Sequence, residues 1–298
     1  MRPNRSSVLF LSALPLAFVF CGSPAPVSPD RYAPVDALFE KVDRNVAAAR
    51  GLQKVVEIDH SRLAATAGAV MPPARVLIFS NPGMESRLLE RNLMAGVDLP
   101  LRVLAFEDTH SKQARLIYNR FSYLASRYRL PSELASAYED SLSGAVAGIP
   151  PDQIAEFSDN DMAENGVVTL DSDFGFDETL DRVQKAIASQ GDTMTFGIVD
   201  FQENAKAFGI ALRPIRLVLF GAPAPGAKAM RDAPTLGLDA FCQKLLVWQD
   251  SDRTVYVSFN DLLALAERHG VGSSVPLRVI NRRLNATFRA AIRAPKED

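Results

Sequence analysis

The chain has 298 residues, 47% of them hydrophobic and 23% charged, with a formal net charge of −2. That is enough apolar material for two modest domains. It contains no basic block to act as an electrostatic footprint, so nucleic acid is not expected as a partner.

Arg2 and Arg5 precede an almost unbroken apolar run over residues 8–20. The run is too short to cross a bilayer and matches the apolar core of a signal peptide. Cys21 stands where a bacterial lipoprotein carries its lipidated cysteine, although Phe20 departs from the small residue usual before it. A segment rich in Pro and small residues follows, which cannot bury enough to fold. We expect a signal peptide of the lipoprotein type over 1–21, a tether over 22–35, and lipidation at Cys21. The protein would then be exported, either periplasmic or held on a bacterial membrane by its lipid. Free secretion and an uncleaved apolar N-terminus are the alternatives. Cys242 is the only other cysteine and stands in an apolar run, as a small core residue does.

Beyond the tether the chain repeats itself at a separation of 141 residues. PARVLIFSNP (73–82) matches PIRLVLFGAP (214–223), and Gly68, Gly96 and Asp98 match Gly209, Gly237 and Asp239. YNRFSYLASRYRL (118–130) matches FNDLLALAERHGV (259–271), pairing Asn119 with Asn260 and Arg127 with Arg268. One insertion and one deletion between these blocks cancel. The expected organisation is a first repeat domain with an added helix over 36–148, an acidic linker over 149–165, and a second repeat domain with a C-terminal helix over 166–298.

In the second copy, residues 167–170 predict a strand and 176–191 a helix. A strand over 193–199, a short helix over 201–209, a buried strand over 215–220 and a helical turn over 225–232 follow. Residues 244–249 and 254–259 form a predicted hairpin around the Asp250-Ser251-Asp252-Arg253 turn, with a helix over 261–269 after it. The first copy runs in the same order from about 36 to 130 without a visible opening strand. Terminal helices are predicted over 132–147 and 276–292. The fold class is α+β: two copies of a compact two-layer domain, each a mainly antiparallel sheet covered by helices, packed as an internal pseudo-dimer. Such a pseudo-dimer is compatible with a monomeric chain.

The segments VLIFSNP and LVLFGAP, DLPLRVLAFED (98–108) and the Tyr118-Asn119 pair resemble the family known as domain of unknown function 302. Its members carry Phe-Gly-Asn-Pro after a strand, Leu-Asp-Leu-Pro before the next, and Tyr-Asn near a hairpin end. The resemblance covers most of 36–130 and 166–272, and implies a compact α+β domain with no established reaction or cofactor. Each copy departs from the pattern: Ser80 replaces Gly in the first, and Ala222 replaces Asn in the second.

Two meanings of the Ser-Asn-Pro-Gly corner stay open. Free N–H groups at a helix start attract anions, but the segment lacks the glycine spacing and Lys-Ser/Thr pair of a phosphate loop, and Glu85 would itself answer the helix dipole. Asn81, Asp98 and Asn119 are the tentative ligand-binding residues, and capping of their own turns is the structural alternative. Asp59 and His60 could face a metal, but the second copy has Asp200 and Phe201 there; a helix N-cap followed by a half-exposed His is the simpler expectation. No nucleophile with a histidine partner is evident, so no catalytic residue, metal or cofactor is assigned. The terminal helix carries Arg278, Arg282, Arg283, Arg289 and Arg293, which could meet anionic lipid.

The functional expectation is a non-catalytic envelope protein that binds a small or amphipathic ligand, a lipid or a protein partner. An envelope enzyme or redox-stress factor using Asn81, Asp98 and Asn119, and a purely structural scaffold, are the alternatives.

Overall fold

The computed structural model describes residues 29–157 and 166–295. The expected signal peptide and Cys21 lie outside the described residues. The first repeat opens with α1 (Pro29–Ala48), so residues 29–35, expected to be tether, are helical. The reason is apolar spacing: Val35, Leu38, Phe39, Val42 and Val46 are all buried, on one face of the helix against the first sheet. Full burial of each is worth roughly 1.5–3 kcal/mol. Arg31 secures the first turn by donating Nε–H to Glu107 at 2.8 Å.

β1 (Gln53–Asp59), α2 (His60–Thr66), β2 (Ala74–Ser80), α3 (Pro82–Arg91), a 3-10 turn (Leu93–Val97), β3 (Leu101–Glu107), β4 (Ala114–Tyr118), α4 (Phe121–Tyr128) and α5 (Ala135–Ala145) complete the first repeat. The second contains β5 (Val167–Asp171), α6 (Phe176–Ala188), β6 (Met194–Asp200), α7 (Phe201–Lys206), β7 (Ile215–Gly221), α8 (Pro223–Met230), a 3-10 turn (Pro234–Leu238), β8 (Gln243–Gln249), β9 (Val255–Asn260), α9 (Leu262–Arg268) and α10 (Val275–Ala291). Both sheets are antiparallel, ordered β1-β2-β3-β4 and β5-β9-β8-β7-β6. Both carry the same bulge, between Lys54 and Val56 and between Thr195 and Gly197. The two-copy α+β architecture read from the sequence is the one observed.

The missing opening strand of the first copy has a substitute. Ile154, in the expected linker, forms a parallel bridge with Leu116 on the open edge of β4, and Ala155 donates N–H to the Leu116 carbonyl at 2.7 Å. The described part of the linker thus covers a sheet edge that would otherwise be unpaired.

The strand pairing also locates the compensating insertion and deletion. Ile78 stands opposite Arg102, whereas its counterpart Leu219 stands opposite Lys244, one residue further on than the offset of 141 gives. Arg102 therefore corresponds to Lys244, and Leu101 to Gln243. Cys242, which the offset of 141 sets against Leu101 of β3, lies just before β8, where it is fully buried. Burial pushes its thiol up to about 11, which suits a core residue.

The two repeats share one core. Leu217, Leu219 and Leu246 of the second cluster with Val76, Ile78 and Leu104 of the first, while Val218, Phe220, Leu245 and Val247 face α6 and α10. α2 packs on α8 and α3 on α7, as a pseudo-two-fold arrangement requires. The matched glycines sit at this junction. A Cβ on Gly96 would come within 2.8 Å of Leu246, and one on Gly237 within 2.9 Å of His60. Gly68 and Gly209 match for a different reason, since both adopt positive φ (72° and 69°) in the turn after α2 and α7.

Candidate functional site

Asp98 and Asp239 end the two 3-10 turns and meet at the junction of the repeats, each 1% exposed. Arg102 lies between them. Its Nη2 donates to Asp98 Oδ1 at 3.0 Å and also to Asp239 Oδ1, and its Nε donates to Asp239 Oδ1 at 2.9 Å. Arg127 pairs with Asp98, which also accepts from Tyr128 Oη at 2.7 Å. Arg268 donates to Asp239 Oδ2 at 3.2 Å, and its guanidinium carbon lies 3.8 Å and 3.6 Å from the ring centres of Tyr123 and Phe157. Lys244 Nζ donates to the Asp239 carbonyl at 2.9 Å. Arg127 and Arg268 are thus counterparts, each serving its own repeat's aspartate, while Arg102 bridges both.

Burial alone would raise the Asp98 carboxyl, but Arg127 and Arg102 overcome this and hold it down to about 2. Asp239 is likewise held well below the usual carboxylate range, chiefly by Arg102 against the cost of burial. Lys244 is pushed down to about 8 by burial and by the nearby Arg102 charge. The His269 imidazole, with Nε2 3.5 Å from Asp239, is depressed by burial. The carboxylates are fully engaged, and the cluster is a buried ionic joint between the repeats.

Two of the three sequence-derived candidates belong to this joint. Asn119 Nδ2 donates to Asp239 Oδ1 at 3.0 Å, across the repeats. Neither it nor Asp98 makes the local cap expected of an Asx side chain at a strand end. Asn81 is elsewhere: it caps α3 by accepting from Met84 N–H at 3.2 Å, and its Nδ2 donates to Ser141 of α5 at 2.9 Å. The three do not form one polar pocket, because the Asn81 corner faces α5 while Asp98 and Asn119 face the other repeat.

At that corner Glu85 is fully buried, accepts from Ser80 Oγ at 2.6 Å, and is pushed up to about 7 by burial. In the second repeat the corresponding residues are Gly221, Ala222 and Gly226, and aromatic rings take up the room. A Cβ on Gly221 would meet Phe196 at 2.8 Å, and one on Gly226 would meet Phe241 at 3.0 Å. His60 is also not half-exposed as expected. It is 5% exposed, with Nε2 3.0 Å from the Gly237 carbonyl of the other repeat, while Asp59 caps α2 as predicted. Among the described residues, no group of three His, Cys, Asp or Glu side chains could hold a metal ion.

The second repeat holds open space, and a small space of about 10 Å³ lies between the repeats, lined by His60 and Leu63 of the first and Phe196 and Phe241 of the second. An apolar groove of about 40 Å³ runs beneath α10, lined by Ile187, Phe220, Ile280, Leu284 and Phe288, with Gln243 among them. A smaller space of about 10 Å³ shares Phe220, Gln243, Leu284 and Phe288 with it and reaches Asp239, Lys244 and Asn260. Gln243 Oε1 and both side-chain polar atoms of Asn260 are buried with no hydrogen-bond partner. In the first repeat, Leu101 replaces Gln243. Tyr138 of α5 packs beside Asn119 there, donating its hydroxyl to the Asn119 carbonyl at 3.1 Å. Sequence reasoning favoured the first copy; the structure leaves room in the second. The signal for Lys244 and Gln243 was hidden by the one-residue insertion, which sets Arg102 against Gln243 in an ungapped comparison.

Comparison with known proteins gives three kinds of match. The chain is 37% identical over 113 residues to a fluoride-specific ion channel FluC 1 of Brucella suis biovar 1, covering 38% of this chain and 44% of that protein. A fluoride-specific ion channel FluC 2 of Brucella melitensis biotype 1 matches equally, over 41% of its length. The chain therefore spans less than half the length of the curated relatives it matches. No helix among the described residues is long and apolar enough to cross a membrane. A crystal structure of an uncharacterized conserved protein DUF302 from Bacillus stearothermophilus aligns with a TM-score of 0.36 and 17% identity, covering 43% of this chain and 95% of that one. The family model described as domain of unknown function DUF302 matches twice, over residues 29–149 and 168–291, and the chain belongs to that family as a tandem repeat of its domain.

Proposed function

We propose that this is an exported, lipid-anchored protein of the bacterial cell envelope that binds a small amphipathic ligand without transforming it. The observation that carries the binding reading is the groove beneath α10, whose apolar walls carry the unpartnered Gln243 carbonyl, next to a smaller space that shares Gln243 and reaches the unpartnered Asn260 amide. Buried amides without partners cost free energy that a ligand's polar group would recover. Export rests on the apolar run over 8–20 and on Cys21. The enzyme alternative loses support because Asn81 is separated from Asp98 and Asn119 and both carboxylates of the joint are occupied by cations. The scaffold alternative would leave the groove without a role. The fluoride channels' activity is not carried over, because the match covers less than half of either chain.

Lipid contact through α10 is a weaker reading. Arg283 is engaged by Asp192 and Gln190, and Arg293 by Asp171 and Asp173, so two of the five arginines are held within the protein.

Native mass spectrometry of the protein purified from its host envelope tests the proposal. The expected result is a diacylglyceryl-modified Cys21 at the new N-terminus and a retained small molecule. An unmodified chain beginning after Cys21 refutes the anchor. A ligand-free spectrum, together with no binding in the titrations below, refutes the binding reading.

A further inference from the structure

We infer that the pocket in the second repeat takes a small aliphatic monocarboxylate, its carboxylate against Asn260 and Lys244 and its hydrocarbon tail in the groove beneath α10. The inference rests on the binding reading above and adds the chemistry of the ligand.

Charge decides the head group. The buried joint holds Arg102, Arg127, Arg268 and Lys244 against Asp98 and Asp239, four basic side chains against two carboxylates. Both buried histidines are depressed by burial and add no charge near neutral pH. An excess of two positive charges in a low-dielectric region is costly unless an anion approaches it. Among the described residues, Arg127 Nε and Nη2 have no acceptor. Lys244 carries three N–H donors, and the structure gives it two acceptors, the Asp239 carbonyl at 2.9 Å and the Cys242 carbonyl at 3.5 Å. Asn260, 6% exposed, has its Nδ2 free to donate. One carboxylate oxygen in the inner space, which at about 10 Å³ holds about one water-sized group, could accept from both. A cation would add to the excess charge.

Volume and lining decide the tail. A water-sized group needs roughly 10–15 Å³ of such space, so about 40 Å³ accepts about three such groups. The apolar part of the lining, Ile187, Phe220, Ile280, Leu284 and Phe288, suits methylenes, and Gln190, Thr193, Arg283 and Thr287 form a polar part. Gln243 lines both the groove and the inner space and can turn its amide toward the head group. The first repeat lacks this combination, with Leu101 in place of Gln243 and Tyr138 packed beside Asn119.

Isothermal titration of the purified full chain with butyrate, 1-butanol and butylammonium at one ionic strength tests the inference. Butyrate should bind at least tenfold more tightly than 1-butanol, and butylammonium not measurably. Lys244→Met should remove the preference for butyrate over 1-butanol. Because Lys244 is part of the joint, its circular dichroism is compared with wild type; if the variant is unfolded, Gln243→Leu decides. That change restores the residue of the first repeat and should weaken butyrate at least tenfold while leaving 1-butanol unchanged. Leu284→Trp, which fills the groove, should abolish binding of both. Equal or tighter binding of 1-butanol or butylammonium overturns the carboxylate inference and leaves the binding reading standing. Butyrate affinity unchanged in folded Lys244→Met or in Gln243→Leu also overturns it. If no probe binds the folded chain, the carboxylate inference falls, and the binding reading falls with it where the native mass spectrum is also ligand-free.

Discussion

Replacing Glu85 by Gln should change how stability depends on pH. Glu85 sits in the first turn of α3, 1% exposed, and burial raises its carboxyl from 4.5 to about 7. The folded chain therefore holds this proton more tightly than the unfolded chain. Between pH 4.5 and 7 the native state binds more protons, so stability falls as pH rises through that window. Each pH unit is worth about 1.4 kcal/mol, which makes the full effect on the order of 3 kcal/mol. Glutamine is the same size. Its Oε1 can accept from the Asn81 N–H, and its amide can donate to Ser80 Oγ in place of the protonated carboxyl. His60 opposes the trend in wild type: burial depresses its imidazole to about 4, so its contribution is present above pH 6.5 and lost as pH falls toward 4. The informative quantity is thus the variant's stability minus that of wild type, from urea unfolding at intervals between pH 4.5 and 8. It should rise by roughly 3 kcal/mol across the range. A difference that stays flat would show that Glu85 ionises normally in the folded chain and would refute the reasoning.

Gly237→Ala should destabilise the chain by about 1–3 kcal/mol in thermal or urea unfolding, because its Cβ would press on the buried His60 ring and Leu104. Gly96→Ala, whose clash is with the flexible end of Leu246, should cost less. Asp239→Asn leaves Arg102 and Arg268 without their carboxylate in a buried site and should cost about 3–5 kcal/mol by urea denaturation. Asn119→Ala removes a buried hydrogen bond to Asp239 and should cost about 1–3 kcal/mol, whereas Asn260→Ala, which removes none, should fall within about 0.5 kcal/mol of wild type in the same assay.

Much of the fold was legible in the sequence because strands and helices are local statements. The runs 76–79 and 217–220 are continuously apolar, and β2 and β7 contain them. The terminal helix was predicted to within one residue at each end. α1 was missed at its start because Pro29, Pro34 and the neighbouring small residues look like a tether. Only packing on the sheet reveals that Val35 and Tyr32 are buried. The candidate site was less legible. Asp98, Asn119 and Arg127 were visible through their matches in the second copy, but a match does not say what a side chain faces. Asn81 was grouped with them by motif, although its hydrogen bond goes to Ser141, 60 residues away on a helix outside the motif.

The sequence by itself determined that two copies of one domain follow each other, in what order their elements run, and which glycines and aspartates they share. Those features depend on residue spacing, which survives any choice of tertiary arrangement. The tertiary structure decided that the shared aspartates face one another across the repeats, joined by Arg102 over sequence separations as large as 137 residues. It also decided that space remains beneath α10 in the second copy. A cavity depends on how volumes fit between layers, and here that turned on two local differences: Gln243 where the first copy has Leu101, and Tyr138 packed beside Asn119 in the first copy alone.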